Sequence, residues 1–281
     1  EVVRAVYRGM QDLRGAIRSA AGSRAVPVLG ITGTGGSGKS SLTDELVRRI
    51  RLDYQDKLRV AVIAVDPTRR RGGGALLGDR IRMNSLEGDR VFFRSLATRG
   101  NHELPTGLTD IIDIAKAAGY DLVIIETPGI GQGDAAIVPH ADISMYVMTP
   151  DFGAASQLEK IDMLDYADVV AINKFERRGA QDALRDVARQ LVRNRGAFGT
   201  PPEQMPVFGT SAATFNDDGV TAIYQFVKGL LVDKGLPTGD SVLPHVEVRH
   251  SGTVRQVVPP ERVRYLSEIT DTIRGFHRGT T

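Results

Sequence analysis

An α/β fold, with a mostly parallel sheet flanked by helices, is predicted by two features of the chain. Apolar runs of strand length alternate with helical-period segments, and several of the runs end in a carboxylate or an amide, as strands buried on both faces do. Between the first such run and a helix start lies Gly33-Thr34-Gly35-Gly36-Ser37-Gly38-Lys39-Ser40, which places ligand loops at the C-terminal edge of the sheet.

In chain order, Val3, Val6, Met10, Leu13 and Ile17 recur at helical spacing, so residues 1–25 form an N-terminal amphipathic helix that leads into the core. Val26 to Thr32 is a short buried strand, and Ser40 to Val47 begins a helix with Leu42, Leu46 and Val47 on one face. Leu58 to Asp66 is a second strand, closed by Pro67. Thr68 to Gly78 is too rich in glycine and arginine for a stable helix, and Asp79 follows as an N-cap. Val91 to Phe93 and Asp121 to Glu126 read as strands around a helix from Thr106 to Ala118. Ala141 to Met148, Asp168 to Asn173 and Pro206 to Ser211 complete the strands, with helices over Ala155 to Tyr166, Gly179 to Arg195 and Val220 to Asp233. Residues 26–235 are therefore one nucleotide-binding domain. Residues 236–281 are a linker or hairpin, charged from Val242 to Val258, and a terminal helix from Pro260 to about His277.

Composition narrows the function classes. With 36 basic against 34 acidic residues the net charge is +2, which favours neither nucleic acid nor a membrane surface as partner. The chain has no cysteine, which removes disulfides, thiolate metal sites and cysteine nucleophiles. No apolar run approaches a membrane span and no secretory signal opens the chain, so a cytoplasmic location is expected. A start at Glu1 without Met leads us to expect a segment of something longer.

The glycine-rich loop makes the core a P-loop NTPase. Gly33, Gly35, Gly36 and Gly38 let the backbone wrap a phosphate chain, Ser37 and Ser41 add contacts around it, and the helix N-terminus supplies a positive dipole end. Lys39 reaches the β- and γ-phosphates and the Ser40 hydroxyl ligates Mg²⁺. A glycine-rich turn that binds nothing is the plainer alternative, and the flanking strand and helix argue against it. Asp66 and Glu126 end two strands flanking the loop, where a hard cation wants oxygen ligands; alone, either would be an ordinary cap. Gly129 follows Glu126 at the place where a backbone N–H senses a γ-phosphate. Asp79 and Arg82 share a helix face and could reach metal and phosphate together, or form only a cap with a local ion pair. Arg69, Arg70 and Arg71 are candidates for a charge stabiliser or a solvated run, and Gln132 for a residue that orients water. Asn173-Lys174-Phe175-Glu176 resembles the Asn-Lys-x-Asp loop with which GTPases read guanine, and Ser211-Ala212 fits a second base-contact loop. Lys39, Asp79 and Glu126 form the candidate catalytic set, and Ser40, Asp66, Asp79 and Glu126 the candidate metal set.

With these motifs in place, the chain resembles the GTPase chaperones of adenosylcobalamin-dependent acyl-CoA mutases. The likeness covers Pro27 to Gly235 and rests on Gly33 to Ser41, Val65 to Thr68, Gly73-Gly74, Leu77 to Arg80, Glu126 to Gln132 and Asn173 to Glu176. Glu176 in place of Asp, with Arg177 and Arg178 beside it, is similar to the GTPase domain of fused isobutyryl-CoA mutases. The resemblance implies bound GTP or GDP with Mg²⁺, and switch segments near Arg69 to Asp79, Arg99 to Thr106 and Gly129 to Ala135 that signal to a mutase. It implies as partners a mutase substrate domain and a cobalamin-binding domain, in cis or in trans, with adenosylcobalamin held only by the latter; a homodimer is left open. Mutase activity is not expected of this chain alone, since none of its five histidines sits in an Asp-x-His-x-x-Gly motif. Three rival readings are a P-loop small-molecule kinase, which needs a lid and acceptor pocket; a nickel-delivery GTPase, which stores metal with His or Cys; and a module whose nucleotide only holds the fold.

Overall fold

The computed structural model describes residues 11–66, 83–98, 104–105, 107–129, 134–152, 158–239 and 241–252. Asp79, Arg82, the arginines at 69–71, Gln132, the loop from Thr68 to Gly78 and the helix expected from Pro260 lie outside them.

Seven strands form one sheet in the order β3-β2-β4-β1-β5-β6-β7, every described pair parallel. They are β1 (Val28–Gly33), β2 (Val60–Asp66), β3 (Val91–Ala97), β4 (Leu122–Glu126), β5 (Ile143–Met148), β6 (Val169–Asn173) and β7 (Val207–Thr210). The helices are α1 (Gln11–Gly22), α2 (Lys39–Asp53), α3 (Leu108–Ala117), the short α4 (Met163–Tyr166), α5 (Ala180–Asn194) and α6 (Asp218–Asp233). Every residue of β1, β2, β4, β5, β6 and β7 is buried, because helices cover both faces. Alternate side chains feed two cores: Val123 and Ile125 pack with Ile111 and Val187 of α3 and α5, while Leu122 and Ile124 pack with Leu46 and Ile223 of α2 and α6.

β1 lies at the centre, between β4 and β5, so the loop that leaves it opens among the C-terminal ends of its neighbours. Asp66, Glu126, Asn173 and Thr210 all end strands on that same edge. α1 is pinned beside α3 by an ion pair from Arg14 to Asp110 at 2.5 Å.

The structure differs from the pattern in three places. β3 runs on to Ala97 rather than stopping at Phe93; it is the sheet's edge, and the exposed Arg94 and partly exposed Ser95 break the apolar run without breaking the ladder. Of the helix expected over Ala155 to Tyr166, the described residues are α-helical at Leu158 and again over Met163–Tyr166, and between these Ile161 and Leu164 donate back to the carbonyls of Leu158 and Ile161 in i→i+3 turns. Asp134–His140 forms a 3₁₀ segment whose buried Ile137 lies under β1, where a Cβ on Gly30 would come within 2.8 Å of it.

Candidate nucleotide site

The loop from Gly33 to Gly38 is shaped by its glycines. Gly33 has φ 145°, and a Cβ there would lie 1.9 Å from the Val147 carbonyl oxygen, so no larger residue fits where the loop leaves β1. Gly38, at φ 86°, is the N-cap of α2 and brings no side chain of its own, so the positive end of the helix faces the loop. Gly35 and Gly36 are exposed on the loop. Lys39 folds back over it, its Nζ donating to the carbonyls of Gly33 at 2.9 Å and Thr34 at 3.0 Å. Thr34 Oγ1 and Ser37 Oγ are buried with no hydrogen-bond partner among the described residues. Two unpaired hydroxyls in a cluster of backbone amides cost free energy, and they fit a loop that closes around a polar ligand.

Glu126, buried at the end of β4, binds the first turn of α2 with both oxygens: Ser40 Oγ donates to Oε1 at 2.5 Å and Thr43 Oγ1 to Oε2 at 2.9 Å. Asp66, equally buried, ends β2 on the neighbouring strand and accepts from Ser95 Oγ. The donors are hydroxyl and carboxylate oxygens, the set a hard divalent cation takes. Gly129 presses against the loop; a Cβ there would lie 2.4 Å from Lys39 Nζ and 2.8 Å from the Gly35 backbone. The chain after β4 therefore meets the lysine directly.

Asn173 joins the phosphate loop to the second half of the site. Its Nδ2 donates to the Ser37 carbonyl at 2.7 Å, while its Oδ1 accepts from Thr210 Oγ1 and the Ala212 amide, each at 3.1 Å. Lys174 takes φ 60°, which turns the chain sharply so that the following Glu176 faces Ser211, whose hydroxyl donates to its Oε2 at 2.9 Å. A cleft of about 300 Å³ runs from Ser41 and Asp44 on α2 to Ala212, Ala213 and Phe215. It connects the phosphate loop's helix with the base-contact loop.

All the expected residues among those described converge on this edge; Asp79 and Arg82 lie outside the described residues. Three further residues build the site. Thr43 lies one turn beyond Lys39 and so on the same helix face, a spacing visible in the sequence. Asp217, an N-cap signature before α6, accepts from Val220 N and also holds the Ser211 amide at 3.2 Å. Asp44 accepts from the Asn84 and Ser85 amides and the Ser85 hydroxyl, which ties α2 to the chain entering β3; no local pattern announces that contact.

At the far end of α2, the Asp53 carboxylate accepts from Tyr224 Oη, Lys228 Nζ, Ser241 Oγ and the amides of Val242 and Leu243. Burial alone pushes its carboxyl up, but those donors outweigh burial and hold it well below the usual carboxylate range. Burial, reinforced by the Asp53 charge, pushes the Tyr54 hydroxyl up to about 12.

A family model described as methylmalonyl Co-A mutase-associated GTPase MeaB matches residues 6–231. The fused isobutyryl-CoA mutase of Nocardia farcinica is 73% identical over 267 residues, covering 95% of this chain and 25% of that protein. The fused isobutyryl-CoA mutase of Cupriavidus metallidurans is 59% identical over 281 residues, 99% of this chain and 26% of its own length. The chain thus spans about a quarter of the length of these curated relatives. A solved structure of a LAO/AO transport system kinase shares the fold, with a TM-score of 0.50 at 22% identity over 84% of this chain and 76% of the other.

Proposed function

The chain belongs to the MeaB family of mutase-associated GTPases, and from that premise we propose that it binds GTP with Mg²⁺, hydrolyses it, and uses the cycle to gate adenosylcobalamin loading of an acyl-CoA mutase of the isobutyryl-CoA type. The observation that carries the reading is Asn173, which bonds the phosphate loop and the base-contact loop at once and so brings both within reach of a single ligand.

In this reading the loop amides and Lys39 hold the β- and γ-phosphates, with Ser37 and Thr34 offering their hydroxyls. Asn173, Lys174, Glu176, Ser211 and Ala212 read the base, Glu176 accepting from the two N–H donors that guanine presents and adenine lacks. Ser40, Asp66 and Glu126 would hold Mg²⁺, together with Asp79, and Arg82 would approach the phosphates. The cation, when bound, neutralises charge on the β- and γ-oxygens. Water attacks the γ-phosphorus, the bond to the β–γ bridging oxygen breaks, and GDP leaves with that electron pair. Gly129, in contact with Lys39 and Gly35, is where loss of the γ-phosphate would be felt by the following chain. In this reading the partners are a mutase substrate domain and a cobalamin-binding domain, in cis or in trans, and we place the protein in the cytoplasm. Among the described residues no helix is long and apolar enough to cross a membrane.

Lys39→Ala tests the assignment by isothermal titration with a non-hydrolysable GTP analogue. Loss of tight binding is expected, since the cation facing the phosphates is gone; unchanged affinity would remove the loop from the site.

A further inference from the structure

The stretch from Ser241 to Ser251 has no regular structure beyond one bridge, yet it is bonded at both ends to the elements that build the nucleotide site. It belongs to the same compact unit as the sheet, which extends to Ser251. At its start, Asp53 at the end of α2 accepts from Ser241 Oγ and the Val242 amide at 2.8 Å and from the Leu243 amide at 3.1 Å. In its middle, Gln225 of α6 donates to the Pro244 carbonyl at 2.8 Å and accepts from the Val246 amide at 3.2 Å. At its end it runs parallel beside β7: the Gly209 amide donates to the Arg249 carbonyl and the Ser251 amide to the Gly209 carbonyl, both at 2.9 Å.

That last contact lies behind the base-contact residues. His250 stacks on Phe175, the third residue of Asn173-Lys174-Phe175-Glu176, with ring centroids 5.3 Å apart and planes inclined by 23°. The Phe175 ring is wedged so closely that a Cβ on Gly209 would lie 2.4 Å from it and 2.8 Å from His250 Cβ. Ser251 Oγ donates at 2.9 Å to Asp217 Oδ1, the same oxygen that holds the Ser211 amide. Each base-contact loop thus has one backing contact in residues 250–251.

We propose that His250 and Ser251 are positioning residues for base recognition, and that docking of the 241–251 strap and binding of guanine are coupled. The proposal rests on the base-reading role given above to Asn173 and Glu176. His250 fixes the ring between Lys174 and Glu176, and Ser251 fixes the carboxylate that sets Ser211, the residue that orients Glu176. Neither touches the nucleotide. Because coupling free energies are reciprocal, an undocked strap weakens guanine binding by the same factor by which guanine tightens the strap. Whatever pulls on the chain beyond Ser251 then acts on nucleotide affinity through these two contacts.

The test titrates GDP and ADP, each with Mg²⁺, into the full chain, a His250→Ala/Ser251→Ala double variant and a His250→Phe/Ser251→Thr double variant. The alanine pair is expected to raise the Kd for GDP about tenfold and to leave that for ADP within about twofold, whereas the conservative pair, which keeps a ring and a hydroxyl, retains parental values. In the unmodified chain the Ser251 amide should exchange hydrogen more slowly with GDP than with ADP, a readout that stands even where the alanine pair fails to fold. Equal loss for both nucleotides, an unchanged GDP affinity, or equal exchange with GDP and ADP overturns the proposal while base reading survives. A parent chain that does not prefer GDP to ADP overturns base reading and the proposal together.

Discussion

The Asn173 side-chain amide donates to the Ser37 carbonyl at 2.7 Å, and a Cβ on Gly38 would come within 2.5 Å of the same nitrogen, so the base loop and the phosphate loop touch through one group. Asn173→Ala strands the Ser37 carbonyl, the Thr210 hydroxyl and the Ala212 amide together, all of them buried or partly buried. It should lower stability by about 1–3 kcal/mol and weaken GDP and inorganic pyrophosphate alike. Thermal melting with parallel titrations checks it; a variant that loses GDP but keeps pyrophosphate would separate the loops.

Glu176 makes a narrower prediction, because it is exposed and accepts from the Ser211 hydroxyl of the neighbouring loop. Glu176→Ala should leave folding intact and weaken GTP by about 1–3 kcal/mol, the loss of charge-assisted contacts to guanine, with ATP little changed. Competition binding decides, and a parent chain that holds ATP as tightly as GTP would end the guanine reading.

Asp53 predicts a pH dependence. Its carboxyl is held well below the ordinary value of 3.8, so the stability it contributes is fully present above about pH 4 and is lost as pH falls further toward its folded value. Tyr54 has the opposite sign: raised to about 12 from 10.0, it contributes stability that is present below pH 10 and is lost as pH rises through about 12. Asp53→Ala should cost about 3–5 kcal/mol at neutral pH, since it leaves Lys228 and the Tyr224 hydroxyl facing each other without the carboxylate, and should flatten the acid limb of the stability curve. Urea unfolding from pH 3 to 8 reads both effects.

The sheet and its polar edge were legible because parallel strands buried on both faces are continuous apolar runs, and Asp66, Glu126 and Asn173 each interrupt such a run at its C-terminal end. Local pattern fails where a contact is made by backbone or over long separation. The edge strand β3 hides its length behind the exposed Arg94 and the polar Ser95, which interrupt the apolar run yet keep their place in the ladder. Ile137, in a 3₁₀ segment with Pro139, has too short a period to announce the burial it achieves under β1. The anchoring of Ser241 to Ser251 depends on amides donating to Asp53, almost two hundred residues back, and on the Gly209 backbone, and neither leaves a side-chain signature. For the same reason Asp217 is legible as a helix cap but not as the group that sets Ser211.

The last prediction concerns partner control. Gly129 lies against Lys39 and Gly35, while Ile137, eight residues on, is fully buried under β1, so the chain between them is fixed at a phosphate-facing end and at a core-facing end. On the other side of the loop, Asp44 accepts from the Asn84 and Ser85 amides, so the chain that enters β3 is likewise held against the phosphate helix. A partner that binds those segments in one arrangement must bind the GTP and GDP forms with different affinity, and by linkage must alter nucleotide affinity by the same factor. We expect slow GTP turnover by the chain alone, and a change in rate when mutase and cobalamin domains dock. The measurement titrates those domains into the chain with GDP or with a non-hydrolysable GTP analogue, following affinity, and with GTP, following phosphate release. A difference of five-fold or more in affinity between the two nucleotide states, about 1 kcal/mol of coupling, is the expected outcome. Partner affinity indifferent to nucleotide, with turnover unchanged, would leave a GTP-hydrolysing domain with no gating role in cofactor delivery.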